Sequence, residues 1–248
     1  MRVPRLLVES ELATGRVLDL PAGTLRHAVS VLRLRDGAAC RVFDGAGREH
    51  AAVLSVSGRR AGSVRIGQVA AAPTTPARPI RLLQGIARGD HMDLAIQKAV
   101  ELGVAEIWPV LSARSRSGGG HRRVENRYRH WLGVLRAATE QCGRNELARL
   151  EPPRELPEAL EALPTRGLRA LADPAGDPPE VWRGVQTDSG NDPVAFLVGP
   201  EGGLGPEEIA LARGAGFRGL RLGPRTLRTE TASVAGLAVL QTLFGDLR

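Results

Sequence analysis

The apolar positions change rhythm about a third of the way along the chain. Early on, short alternating runs at Arg5–Val8, Arg16–Leu20, Ala39–Phe43, His50–Val56 and Ser63–Val69 predict strands. Between them Leu25, Val29 and Leu32 recur at helical spacing and predict a helix over Thr24–Leu34. The turns DGAGR and SGRRAG offer glycine where a hairpin needs positive φ. Several short strands and one helix suggest a small barrel. Ala70–Pro79, AAAPTTPARP, has no period and reads as a semi-extended linker.

After it, strand and helix alternate. Apolar runs predict strands at Ile80–Ile86, Glu106–Leu111, Leu168–Ala172, Val194–Val198 and Leu220–Leu222. A helix follows Asp90, read as its cap, with Met92, Ile96, Ala99 and Val100 on one face and Gly103 as its stop. Glu125–Cys142 is amphipathic through Tyr128, Leu132, Leu135, Ala138 and Cys142, and Gly143 ends it. Pro206–Ala215 and Thr231–Phe244 complete the helices, while Ser112–Arg123 and Asp173–Pro193 read as loops. Such alternation predicts a parallel sheet with flanking helices. Residues 1–70 and 80–248 are therefore expected to be two domains joined by 71–79.

Composition refines this picture in three ways. The net charge is +7, and every cation except Lys98 is arginine. Residues 1–70 carry eleven arginines against six carboxylates, whereas the longer remainder is nearly balanced, so the first module is the one suited to a polyanion. Cys40 and Cys142 stand far apart with no metal-ligand spacing, and are expected to be small buried apolar residues; no metal is expected. No run reaches the ~20 apolar residues of a membrane helix, and the N-terminus lacks a secretory apolar core, which leads to the expectation of a cytoplasmic protein.

The candidate chemistry lies in two strand-to-helix turns, where ligands of parallel sheets bind. One is Gly199-Pro200-Glu201-Gly202-Gly203-Leu204-Gly205; the other runs from Leu222 to Thr231, LGPRTLRTET. Glycines allow a ligand close to the backbone and leave amides free to donate. A triphosphate loop is excluded, because it needs Gly-Lys-Ser/Thr and the one lysine lies inside a helix pattern. A dinucleotide fingerprint fails too, since Gly203-Leu204-Gly205 continues to Glu208 rather than glycine.

LVGPEGGLGPEEI followed by LGPRTLRTETA resembles the paired cofactor loops of the SPOUT RNA methyltransferases. Within them the chain is similar to the ribosomal small-subunit methyltransferase E family, which methylates N3 of a uridine in 16S ribosomal RNA. QGIARGDHMDLAIQKAVELGV at 84–104, AATEQCGRNELARL at 137–150 and RHAVSVLRLRDGAACRVFDGAGRE at 26–49 extend the likeness over essentially the whole chain. The resemblance implies an α/β protein: a C-terminal trefoil-knotted parallel-sheet domain, a small N-terminal PUA-like β-barrel, a homodimer, and S-adenosylmethionine as cofactor. A ribose 2′-O-methyltransferase of the same superfamily and a non-catalytic RNA-binding assembly factor are the alternatives.

Site residues follow from these matches. Leu171, Leu197, Gly199, Pro200, Glu201, Gly202, Leu222, Gly223, Leu227 and Thr229 are expected around the cofactor. Arg228 and Arg225 are the candidates for stabilising a uridine anion, and Glu230 is a candidate proton acceptor or a carboxylate at a helix start. Arg5, His27, Arg33, Arg35 and Arg144 are the expected RNA contacts, with Glu140, Gln141 and Asn145 near the target base. Where the family often places an aromatic after its first Pro-Arg, this chain has Leu6 and Leu7.

Overall fold

In the computed structural model, which describes residues 3–58, 61–71, 78–114, 121–185 and 192–247, the chain divides into two compact units. The first comprises residues 1–75 together with Thr139–Leu147, and the second comprises the rest.

The first unit is built on a mixed five-stranded sheet. Strands β1 (Arg5–Leu7), β2 (Val17–Asp19), β3 (Ala39–Phe43), β4 (Glu49–Val56) and β5 (Gly62–Ala71) stand in the order β1-β3-β4-β5-β2. β1 lies parallel to β3, and the other pairs are antiparallel. Alternation decides the core: Cys40 and Val42 from β3, Ala52 and Leu54 from β4, and Val64 and Ile66 from β5 point inward against Leu6, Leu18 and Leu25. Leu6 is thus a core residue. The expected helix begins earlier than predicted, as α1 (Ala22–Arg26), and widens into a π-helical turn over His27–Val31. It ends with Leu34 N donating to Ala28 O across Arg33, whose φ is 56°. A non-glycine residue held there costs roughly 1–2 kcal/mol, and apolar spacing carries no sign of such a turn.

The second unit is a three-layer α/β structure. Strands β6 (Ile80–Gly85), β7 (Glu106–Leu111), β8 (Arg149–Leu150), β9 (Arg154–Glu155), β10 (Leu168–Asp177), β11 (Val194–Val198) and β12 (Arg218–Leu220) are all parallel, in the order β12-β10-β11-β6-β7-β8, with β9 also on β7. Pro109 is tolerated in β7 because β8 pairs only Glu106 and Ile107 and β9 only Val110 and Leu111. The proline falls in the break, where no N–H is needed. The helices are α2 (Asp90–Glu101), α3 (His121–Cys142), whose last residues from Thr139 belong to the first unit, α4 (Leu156–Glu161), α5 (Pro179–Trp182), α6 (Pro206–Gly214) and α7 (Thr229–Phe244). Leu83, Leu171, Ala195 and Leu197 form one sheet face with Leu156, Ala159 and Ala212 from α4 and α6. On the other face α7 lies so close that a Cβ on Gly236 would sit 2.1 Å from Phe196 Cζ.

Several sequence expectations shift. Gly89, with φ 52°, is the N-cap of α2, and Asp90 is its first helical residue. Helix α3 starts at His121, inside the expected loop, and its buried face includes Trp131. Strand β10 runs on to Asp177, and β12 stops at Leu220, two residues short of the expected end. The short elements β8, β9, α4 and α5 were not predicted. Cys40 is buried and Cys142 only partly so. Most of the expected linker (72–77), the centre of the basic glycine loop (115–120) and residues 186–191 lie outside the described residues.

Candidate donor-binding site

At the carboxyl ends of β10, β11 and β12 the two glycine turns meet around a cavity of about 360 Å³. Its wall is formed by Gly199–Leu204 after β11, by Leu222, Gly223 and Arg225–Leu227 after β12, and by Leu171–Pro174 on β10. Val198, Ile209, Leu220, Thr229 and Ala232 complete it. Apolar side chains and main-chain groups dominate this wall, in keeping with a site that packs the apolar part of a ligand and fixes its polar edges through a few backbone groups.

Small residues make the site possible. A Cβ on Gly85, at the end of β6, would lie 2.5 Å from Pro200 N, so only glycine lets this strand end touch the β11 turn. The register between β10 and β12 shifts between Ala172 and Asp177, so residues 173–176 bulge out and bring Asp173 and Pro174 to the cavity. There a Cβ on Gly176 would meet Gly219 C at 2.3 Å.

A buried polar network fixes the start of α7 to this floor. Thr229 Oγ1 donates to Gly199 O at 2.6 Å and accepts from Gln84 Nε2 at 2.9 Å. Ser233 Oγ reaches Gln84 Oε1 at 2.5 Å and Thr229 O at 2.9 Å. Gln84 and Ser233 are fully buried, and each polar atom named here finds a partner. The Glu201 and Glu208 carboxylates are likewise committed to backbone: Arg88 N donates to Glu201 at 2.7 Å, and Ala113 N and Gly205 N donate to Glu208 at 2.9 and 2.7 Å. Arg114 Nη1 donates to Gly202 O.

Of the ten residues expected around the cofactor, Leu171, Gly199, Pro200, Glu201, Gly202, Leu222, Gly223, Leu227 and Thr229 line the cavity. Leu197 does not: it is fully buried in the sheet core beside Leu83 and Leu171. It follows strand alternation, pointing away from the turn that its neighbours enter. Asp173, Pro174, Ile209 and Ala232 also line the cavity and were not anticipated, because a bulge and a helix face leave no local motif; Leu204, inside the first glycine turn, lines it too.

Arg225 borders the cavity, and Arg228 is the exposed N-cap residue of α7 between two lining residues. Glu230 is buried in the first turn of α7, with Oε1 3.0 Å from His91 Nδ1. Its other oxygen is buried without a protein partner, and the residue is not part of the cavity wall. That placement matches the helix-start alternative rather than a proton acceptor at the cavity.

The RNA candidates separate sharply. Arg33 and Arg35 are exposed. Arg5 is 8 % exposed and spends its fork inside the first unit: on Glu49 at 2.8 Å, on the carbonyls of Thr139, Glu140 and Arg144, and on Asn145 Oδ1, with Phe43 stacked 4.4 Å away. Arg5 is therefore corrected from RNA contact to core cross-link, since its donors are consumed by protein oxygens. Glu140 accepts from Leu7 N at 2.9 Å and stands 3.5 Å from His27 Nε2. Glu140, Arg144 and Asn145 thus brace β1, Arg144 through its carbonyl. Gln141 is exposed.

Comparisons with known proteins agree with this geometry. Residues 74–241 match the model of an RNA methyltransferase domain, and residues 20–67 match an RNA methyltransferase PUA domain. A ribosomal RNA small subunit methyltransferase E from Neisseria gonorrhoeae, solved bound to S-adenosyl methionine, is 34 % identical with a TM-score of 0.92 over 100 % of both chains. A Legionella pneumophila protein, solved in complex with the cofactor S-adenosylmethionine, gives the same values. A ribosomal RNA small subunit methyltransferase E of Mycobacterium bovis is 28 % identical over 93 % of this chain and 88 % of its own.

Proposed function

The chain belongs to the RNA methyltransferase family, within its ribosomal small-subunit methyltransferase E group, and from that premise we propose that it transfers a methyl group to N3 of a uridine in 16S ribosomal RNA. It is an S-adenosylmethionine-dependent ribosomal RNA methyltransferase. The observation that carries the finer reading is the cavity where two glycine turns converge with Arg225 on its wall and Arg228 beside it.

The residues present fit the donor. At Gly199 even a Cβ would come within 3.0 Å of Leu204 N, so the turn is folded tightly on itself and offers its main chain rather than side chains. Leu171, Leu204, Leu222 and Leu227 supply flat apolar packing that excludes water from an adenine ring. The sulfonium-bound methyl of the donor supplies the electrophile. Uridine N3 becomes a good nucleophile once its proton leaves and the negative charge spreads onto O2 and O4. In this reading Arg228, beside the cavity at the start of α7, donates to that edge and favours the anion where charge develops, while Arg225 adds positive potential at the cavity wall. Water or a group of the RNA takes the proton, since Glu230 lies outside the cavity wall.

Arg228→Ala is expected to slow methyl transfer by roughly 10²–10³. Affinity for S-adenosylmethionine, measured by calorimetry, should stay within about twofold, because the wall of the cavity is unchanged. Full turnover by the variant would refute the assignment. The base and atom are tested by mass mapping of ribosomal RNA from cells lacking the protein. The account expects one missing N3-methyluridine, and a missing ribose methyl would replace it with the 2′-O reading.

We also place the protein in the cytoplasm as a homodimer, with a C-terminal trefoil knot and residues 1–70 and 80–248 as functional domains joined by 71–79. The family likeness supports these readings. No helix among the described residues is long and apolar enough to cross a membrane.

A further inference from the structure

The turn between β6 and α2 is held more firmly than a connection requires. Ile86 N donates to Val110 O at 2.9 Å, Ala87 O accepts from Arg127 Nη2 at 3.0 Å, and Arg88 N donates to the Glu201 carboxylate at 2.7 Å. Ile86 and Ala87 are buried, and Gly89 at φ 52° reverses the chain into α2. Glu201 lines the donor cavity, so the backbone of Arg88 is fastened to the cavity's own rim. The Arg88 side chain is nonetheless exposed. A long cation on a rigid turn has lost backbone entropy before any ligand arrives, which lowers the cost of recognition.

The carboxylates near Arg88 have partners of their own. The two carboxylates of the neighbouring turn, Glu201 and Glu208, are occupied by backbone amides. Asp90 lies in the first turn of α2, where the helix dipole stabilises it. Arg225 and Arg228 occupy the other turn of the site, both exposed. Cations fixed at the mouth of a methyl-donor cavity suit a phosphodiester chain that must be steered so that one base reaches the donor.

We propose that Arg88 is a substrate-positioning residue that takes an RNA phosphate at the mouth of the cavity, acting with Arg225 and Arg228. This rests on the reading of the protein as an RNA methyltransferase. Its test is the salt dependence of binding to an unmodified small-subunit ribosomal RNA transcript, for wild type, Arg88→Ala and Arg88→Lys. One lost phosphate contact should make the slope of log K against log[salt] shallower by about 0.7–0.9, which weakens binding roughly five- to eightfold at about 0.1 M salt. KM for the RNA should rise with kcat nearly constant. Arg88→Lys, which keeps the point charge, should retain the wild-type slope, and all three proteins should bind S-adenosylmethionine alike. An unchanged slope in Arg88→Ala overturns the proposal. So does a parallel loss of donor affinity, which would mean that the residue merely supports the turn. Absence of salt-sensitive RNA binding in the wild type would instead overturn the functional reading and this assignment with it.

Discussion

Arg5 shows how a single residue can be read correctly as a cation and wrongly as a contact. Its charge stands in a basic module, but Glu49 and the oxygens of residues 139–145 reach it only through tertiary structure. Removing Arg5 leaves buried Glu49 with only its longer pairing to Arg41 at 3.4 Å and takes the donor from the carbonyls of residues 139–144, a loss that approaches the roughly 3–5 kcal/mol of a broken buried ion pair. Arg5→Ala is therefore expected to lower the midpoint of chemical unfolding sharply, whereas exposed Arg35→Ala should leave it within about 0.5 kcal/mol. Thr229 is the corresponding case at the donor site. Thr229→Val keeps the shape but leaves Gln84 Nε2 and Gly199 O short of a partner, a loss of about 1–3 kcal/mol with weaker donor binding. Burial, meanwhile, pushes the Cys40 thiol up to about 11, so in the folded protein it should resist thiol reagents near neutral pH.

Elements with a clear period were legible from sequence: β3, β7 and β11 begin and end where the apolar runs do. Two-residue strands and a four-residue helix have no period to read, which is why β8, β9 and α5 were missed. The GPEGG and LGPRTLRTET turns were legible as ligand loops. The bulge that adds Asp173 and Pro174 was not, because it arises from how β10 pairs with β12. Gly236 in α7 offers a test of element packing. Alanine would gain up to about 1 kcal/mol in helix propensity, but its Cβ would overlap the Phe196 ring, at about 1–3 kcal/mol. Overpacking should win, and thermal unfolding should report a lower Tm. The β6–β7 register adds a pH-dependent element. Arg81 donates two hydrogen bonds to Glu106, at 2.8 and 2.9 Å, and this pairing holds the Glu106 carboxyl below its ordinary value against the opposing effect of burial. A depressed folded pKa contributes stability that is complete above the ordinary glutamate value of 4.5 and is lost as pH falls through the lower folded value. Glu106→Gln should flatten that acid limb of stability; an unchanged limb would show that the pair contributes nothing to it.

For the whole molecule, the excess of positive charge lies in the first module and the cavity of the two glycine turns in the second unit. Charge distribution alone marked the first as suited to a polyanion, whereas the second became specific only when several motifs were taken together. No local pattern could have revealed that turns beginning as far apart as Gly199 and Leu222 share one cavity, because their meeting depends on β10 lying between β11 and β12. The most direct test of the account is calorimetric titration of S-adenosylmethionine into the wild type and into Leu222→Arg, which places a charged side chain on the apolar wall. The account predicts one equivalent bound per wild-type chain and binding lost in a variant that still folds. An absence of binding heat in the wild type, or equal binding by the variant, would contradict it.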